Sequence, residues 1–194
     1  MVSILIDNNT LLRSYELEDA NALFVAVNRS RQHLRHWLDW VDKTTKPEHT
    51  LQFLQQALQQ QNSQEGLALG IFYKRSIIGG IGMHHWDHSL KKAQLGYWIS
   101  KDFEGKGIIH ECLIRFIDFL FNKVGLNKIE VHFIPENKRS AKVAERIGCK
   151  IEGVLRQSHL RNGKLEDIII TGLLKSEWHP LHSEGEVLSP FRPA

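Results

Sequence analysis

Apolar and polar positions along the chain change their period several times, and each change marks an element. Leu11 to Ser14 reads as a short strand, followed by a helix from about Glu18 with Ala22, Leu23, Ala26 and Val27 on one face. A second short helix carries Leu34, Trp37, Leu38 and Val41. A third starts at Thr45 or Lys46, places Pro47 in its first turn, repeats Leu51, Leu54 and Leu58 at helical spacing, and closes in the polar run Gln59 to Gln64. The middle of the chain reads instead as three strands, Leu67 to Tyr73, Ile77 to His85 and Gln94 to Ile99. Lys74-Arg75 and the polar turn Asp87 to Lys92 join them into an antiparallel meander.

A glycine-bearing loop, Asp102 to Gly107, then leads into an apolar helix containing Ile109, Leu113, Phe116, Ile117 and Leu120 that stops at Gly125. Asn127 to Ile134 is a strand, and Ser140 to Ile147 a helix ending at Gly148. Glu152 to Arg161 and Lys164 to Leu174 pair as a hairpin through Asn162-Gly163, a strong two-residue turn signal. Residues His179 to Ala194 show no periodicity and three prolines, as expected of a C-terminal tail. The pattern predicts a single α/β (α+β) domain over residues 1–178, built on a mixed, mostly antiparallel sheet of about seven strands with helices on both faces.

Composition narrows the class. In 194 residues, 42% are hydrophobic and 24% charged, which excludes collagen-like, coiled-coil and wholly disordered chains. Apolar runs such as Phe119 to Phe121 and Ile168 to Ile170 fall far short of the roughly 20 residues a membrane helix needs. Asp7, Arg13, Glu16, Glu18 and Asp19 exclude a secretory apolar region in the first twenty residues, so a cytoplasmic protein is expected. Lys and Arg number 25 against 22 Asp and Glu, too small an excess for a direct nucleic-acid ligand. Cys112 and Cys149 lack metal or redox spacing and are expected in the core. His84, Asp87 and His88 lie close in sequence, but without HExxH or paired Cys/His spacing no metal site is expected.

The chemistry concentrates in Tyr97 to Ile109, a strand that passes through a glycine loop into a helix start. Gly105 and Gly107 let the backbone approach a ligand closely, and the free N–H groups of a helix's first turn attract phosphate. Taken alone, the segment is equally a plain turn. A P-loop is excluded by Gly107 where Ser or Thr is required, and a dinucleotide fingerprint by His110 where Gly or Ala is required.

Three segments in order, Glu104-Gly105-Lys106-Gly107-Ile108, Pro135 to Cys149 and Glu152-Gly153-Val154-Leu155-Arg156, carry a resemblance. Together they resemble the GNAT superfamily of acyl-CoA-dependent N-acetyltransferases, and within it the ribosomal-protein-alanine/serine (Rim-type) branch. The likeness covers about Leu11 to Trp178. Two positions of the family's phosphate-loop pattern depart, Glu104 in place of Gln or Arg and Ile109 in place of Gly or Ala. The resemblance implies acetyl-CoA as co-substrate and no metal. It implies that backbone at Trp98 and Ile99 meets the acetyl group and pantetheine, that Glu104, Gly105, Lys106, Gly107, Ile108 and Ile109 surround the pyrophosphate, and that Asn137 and Ser140 contact the pantetheine arm and sulfur. Asn137 or Ser140 equally suits a helix N-cap, and the two roles are compatible.

The acceptor amine constrains mechanism. At pH 7 an α-amino group is about 14% neutral and a lysine about 0.04%, so an N-terminal acceptor needs the weaker base. In the resembling ribosomal enzymes a Glu at the strand end is the base, and Lys101 stands at the aligned position here. The expectation is therefore direct attack on acetyl-CoA, with the proton leaving through water to Glu104, Asp102, His84 or His85. The two histidines are adjacent on a strand and expected on opposite faces. Ser140 need only stabilise a thiolate that leaves readily. Trp37 and Trp40, with Arg35 and His36, fall where the Rim-type branch builds its acceptor groove, and equally suit a half-buried helix. Three alternatives remain open from sequence: a peptide N-terminus as acceptor, a small amine (polyamine, aminoglycoside or amino-acid-like toxin), and a non-catalytic acyl-CoA sensor. The late hairpin is a candidate homodimer surface.

Overall fold

In a computed structural model, residues 1–161, 163–179 and 187–188 are described. Among these residues nine strands form one sheet in the order β7-β8-β6-β5-β4-β3-β2-β1-β9. They are β1 (Ser3–Leu5), β2 (Thr10–Ser14), β3 (Leu67–Tyr73), β4 (Ser76–Asp87), β5 (Lys92–Ile99), β6 (Lys128–Phe133), β7 (Lys150–Arg161), β8 (Lys164–Leu174) and β9 (Val187–Leu188). Seven of these match the expected strands. The other two, β1 and β9, are too short to show alternation, and pairing with a neighbour makes them strands. Of the segment expected as a tail, Val187–Leu188 thus pairs with β1, whereas 180–186 and 189–194 lie outside the described residues.

Helices cover both faces. One face packs α5 (Ile108–Phe119), a π turn at Leu120–Val124 and α6 (Lys138–Arg146) on a core that includes Ile71, Ile81, Leu95, Leu113, Phe116 and Val131. The other carries α1 (Ala20–Arg29), α2 (Arg31–Leu34), α3 (Trp40–Lys43) and α4 (Pro47–Asn62) around Tyr15, Leu23, Val27, Leu34, Val41 and Leu54. Each such fully buried aliphatic or aromatic side chain contributes roughly 1.5–3 kcal/mol. In α1 the buried stripe is Ala20, Leu23, Ala26 and Val27, whereas Ala22, expected on it, is exposed because at about 100° per residue it lies about 200° around the helix from Ala20. Cys112 is buried and Cys149 half-buried, and both are free thiols. Burial pushes their pKa values up to about 12 and about 11, so both stay protonated at neutral pH.

The expected second helix is broken. α2 ends at Leu34 and α3 begins at Trp40, leaving Trp37 in the turn between them. The Arg31 guanidinium donates to the carbonyls of Val41 and Thr44, folding α3 back onto α2 and satisfying its free C-terminal carbonyls.

The sheet's parallel pair decides where a ligand can enter. β5 and β6 pair only over Lys92–Leu95 with Lys128–Val131. β5 then continues to Ile99 on β4, while β6 continues to Phe133 on β8. The two strands part after Leu95 and Val131, so main-chain groups along 96–99 face a gap at the carboxyl ends of parallel strands. No helix among the described residues is long and apolar enough to cross a membrane.

Candidate active site

At the mouth of this gap the chain turns through a 3₁₀ segment, Lys101–Phe103, and the glycine loop into α5. Gly105 and Gly107 take φ of +70° and +79°, a region other residues occupy at a cost of about 1–2 kcal/mol. A Cβ at either would meet nothing within 4 Å, so the loop lies open. Gly107 is the N-cap of α5, and the N–H groups of the first turn, from the half-buried Ile108 and Ile109, point out of the helix end. Lys106 is exposed, with its ammonium 5.0 Å from the Phe103 ring centroid.

Glu104 turns away from the loop. Its carboxylate lies 2.7 Å from His33 Nε2 and forms an ion pair with Arg139 of α6. The departure from the family pattern therefore places a neutralised carboxylate between α2 and α6 rather than a bare charge beside phosphate. Next to it opens a cavity of about 700 Å³ whose walls include Arg29, His33, His36, Lys101, Lys138 and Arg139 against the single carboxylate of Glu136. The open loop with Lys106 fits the pyrophosphate of CoA, and the cavity beside it carries net positive charge. Lys101 and Asp102 are both exposed.

Across the gap, Asn137 is the N-cap of α6 and its side-chain oxygen accepts from the Ser140 N–H at 3.0 Å. The cap is therefore present, and it fixes the start of the helix that carries Ser140. The Ser140 hydroxyl lies 2.9 Å from the hydroxyl of Tyr97, on β5. Burial pushes the Tyr97 phenol up to about 12, so it stays protonated. Neither its position nor its partner shows in the sequence beyond Tyr97 sharing strand parity with Leu95.

On the opposite face of β5, Trp98 is half-buried and meets Trp40 edge to face at 6.3 Å. Ile99 lies on the α5 side, half-buried. Trp37 is half-buried against His36 and under the Arg161 guanidinium, while Trp40 is 39% exposed. The structure thus brings Trp40 to Trp98 and sets Trp37 on the cavity wall.

His84 and His85 correct an expectation. Ideal alternation would send them to opposite faces, but the register shifts between His84 and Asp87 and His85 adopts φ of +51°. Their rings come within 5.1 Å of each other, both exposed. Partial desolvation, then His85 and His132, lower the His84 pKa to about 4. No group of three or more metal-ligating side chains occurs among the described residues.

The acetyltransferase (GNAT) domain family matches residues 9–150. YdaF of Bacillus subtilis (strain 168), provisionally named a ribosomal N-acetyltransferase, is 31% identical over 179 residues, which cover 92% of this chain and 98% of YdaF. The [ribosomal protein uS5]-alanine N-acetyltransferase of Escherichia coli (strain K12) is 30% identical over 92 residues, 47% of each chain. Among solved structures, the microcin C7 self-immunity acetyltransferase MccE, in complex with acetyl-CoA and AMP, aligns with a TM-score of 0.83 at 26% identity, covering 87% of this chain and 94% of that one. The chain belongs to the GNAT acetyltransferase family. Its reaction is acyl transfer from acetyl-CoA to an amine.

Proposed function

We propose that the enzyme acetylates the α-amino group at the N-terminus of a protein, a ribosomal protein being the class its relatives' names indicate. The observation that carries this is the cationic wall formed by Arg29, Lys101, Lys138 and Arg139. Such a wall repels a polyamine, and its positive field lowers the pKa of a nearby ammonium, raising the neutral fraction of an amine already about 14% neutral at pH 7. A lysine-like or polycationic acceptor gains too little from that shift. An uncharged or acidic peptide end suits the wall.

In this reading acetyl-CoA enters the gap between β5 and β6. The N–H groups at Gly105, Gly107, Ile108 and Ile109 and the side chain of Lys106 hold its pyrophosphate. Glu104 holds His33 and Arg139 at the cavity rim. Main-chain groups at Trp98 and Ile99 take the acetyl carbonyl and pantetheine, and Asn137 orients the helix that brings Ser140 to the sulfur. Trp37, Trp40 and the His84 side of the sheet receive the acceptor. The neutral amine attacks directly in a ternary complex, with no acyl-enzyme. His85, exposed beside His84, lies within reach of the same solvent.

The transferase domain spans residues 1–178, with Val187–Leu188 added at its sheet edge, and acts in the cytoplasm, without nucleic acid or membrane as direct partner. A homodimer through the late hairpin is supported by its exposed apolar side chains, Val154, Leu155, Leu160 and Leu165. The test is thiol release with acetyl-CoA and a panel of peptides, the same peptides with blocked N-termini, spermidine and an aminoglycoside. Turnover confined to free peptide N-termini is expected. Faster turnover of spermidine, or equal turnover of blocked lysine-bearing peptides, would overturn the assignment.

A further inference from the structure

We propose that His132, oriented by Glu130, takes the proton from the acceptor ammonium, with His84 facing it across Gly96. The inference rests on the transferase assignment of the β5–β6 gap and adds the proton acceptor that the glycine loop and Lys101 do not provide.

The placement follows from the sheet. Ile129, Val131 and Phe133 of β6 are buried against the α5 side, so Lys128, Glu130 and His132 occupy the opposite face, the one that carries Trp98. His132 directly follows Val131, the last β6 residue paired with β5. It therefore stands where the two strands separate. On β5 the corresponding residue after Leu95 is Gly96, which presents no side chain on that face. On β4, His84 pairs with Gln94, and its ring lies 3.2 Å from where a Cβ of Gly96 would stand. Two imidazoles thus flank a glycine at the mouth of the gap. The floor extends to Gly82, paired with Gly96, where a Cβ would meet only the Leu67 carbonyl, at 3.5 Å.

Glu130 is built as a positioning residue. Its carboxylate accepts from His132 Nε2 at 3.1 Å and is held by Lys92 of β5 at 3.3 Å and Lys128 at 3.1 Å. Partial burial opposes ionisation, and the two lysines more than offset it, keeping the carboxylate charged. With Nε2 donating to that oxygen, Nδ1 carries the lone pair and has no protein partner among the described residues. The charged or titratable groups around the ring are Glu130, Lys128 and Lys92, with His84 and His85 from β4. β8 places the uncharged Ile170 opposite His132, and Glu152 of β7 meets Lys128 behind it.

Trp98 lies two residues beyond Gly96 on the same strand, about 7 Å along it, a span a chain of two waters bridges. His132 Nδ1 accepts a proton from the acceptor ammonium through that chain. The freed lone pair forms the N–C bond to the acetyl carbon, the C–S bond breaks with its electrons on sulfur, and the second N–H proton goes to the thiolate. His132 then returns its proton to solvent over His84. The sum is one amide, one CoA thiol and one released proton.

The experiment is the pH profile of kcat/KM for wild type, His132→Gln, Glu130→Gln and His84→Gln on whichever amine the wild type turns over, with acetyl-CoA affinity measured for each by calorimetry. His132→Gln is expected to lose at least roughly sevenfold at pH 7 on an α-amine, about 14% of which is neutral there, and to have its acidic limb move to the pKa of the amine itself, with acetyl-CoA affinity within about twofold. Glu130→Gln keeps the limb and shifts it to lower pH, because the imidazole loses its anionic partner. An acceptor amine of low pKa, already neutral at pH 7, restores His132→Gln to near the wild-type rate. A His132→Gln enzyme within about threefold of wild type with the limb intact would overturn the proposal. A shared loss of acetyl-CoA binding would do so too, by marking His132 as structural. Failure of the acceptor assignment is read separately, from the wild type's choice of amine. A wild type that binds acetyl-CoA but acetylates no amine sinks both.

Discussion

Tyr97 of β5 and Ser140 of α6 meet hydroxyl to hydroxyl at 2.9 Å across the opening between β5 and β6. The Tyr97 hydroxyl also lies 3.3 Å from the Ser140 carbonyl, so the pair ties the strand bearing one wall of the gap to the helix bearing the other. With the phenol held protonated, Tyr97 can only donate or share a proton at neutral pH, and Ser140 is a poor acid. Ser140→Ala is therefore expected to lower kcat by roughly 2- to 10-fold, the worth of one hydrogen bond, while acetyl-CoA affinity is unchanged. Complete inactivity in a folded protein that binds acetyl-CoA would show that Ser140 does more than stabilise sulfur.

Gly107 combines φ of +79° with open space on its Cβ side. Gly107→Trp both strains the backbone and fills that space, so affinity for CoA should fall by at least roughly tenfold. Thermal stability should fall much less. Calorimetric titration of CoA measures the first effect, and unaltered affinity would move the cofactor away from this loop.

The His84 pKa, lowered from 6.5 to about 4, carries a stability signature. The unfolded chain takes up the proton first, so the contribution of the neutral ring is complete above pH 6.5 and is lost progressively as pH falls toward 4. His84→Gln should flatten the fall of Tm between those values relative to wild type. Parallel Tm curves for the two proteins would refute the shift.

Arg161 grips Glu166 with two hydrogen bonds of 2.7 Å, and also lies 3.2 Å from His36 and over the Trp37 ring. It thereby docks the β7–β8 hairpin on the turn between α2 and α3. Arg161→Ala should raise the acceptor KM by about 2- to 10-fold without changing acetyl-CoA affinity, since the turn and not the glycine loop is loosened. Steady-state kinetics with each substrate varied in turn separates the two.

Phe116 is fully buried at the centre of the α5 face. Phe116→Ala should cost about 3–5 kcal/mol in denaturant unfolding, whereas the exposed Leu90→Ala should cost close to nothing.

What the sequence determined by itself is local. Period-2 runs marked the β3–β5 meander, Asn162-Gly163 marked the late hairpin, and Gly125 and Gly148 marked helix ends, because backbone preference and side-chain alternation act over a few residues. The order of three short motifs was enough for the family. Tertiary structure alone decided the rest. Whether β1 and β9 are strands depends on having a neighbour to pair with. The break after Leu34 depends on Arg31 reaching the carbonyls of Val41 and Thr44. The bulge that brings His84 and His85 together depends on the register of β4 against β5. The site itself follows the same division. Gly105, Gly107, Asn137 and Ser140 were legible as a pattern, but the contacts of Glu104 with His33 and Arg139, the Tyr97–Ser140 contact and the facing of His132 and His84 join residues 35 to 71 positions apart. Charge and hydrogen bonding act through space, and which side chains share that space is set by where β5 and β6 separate.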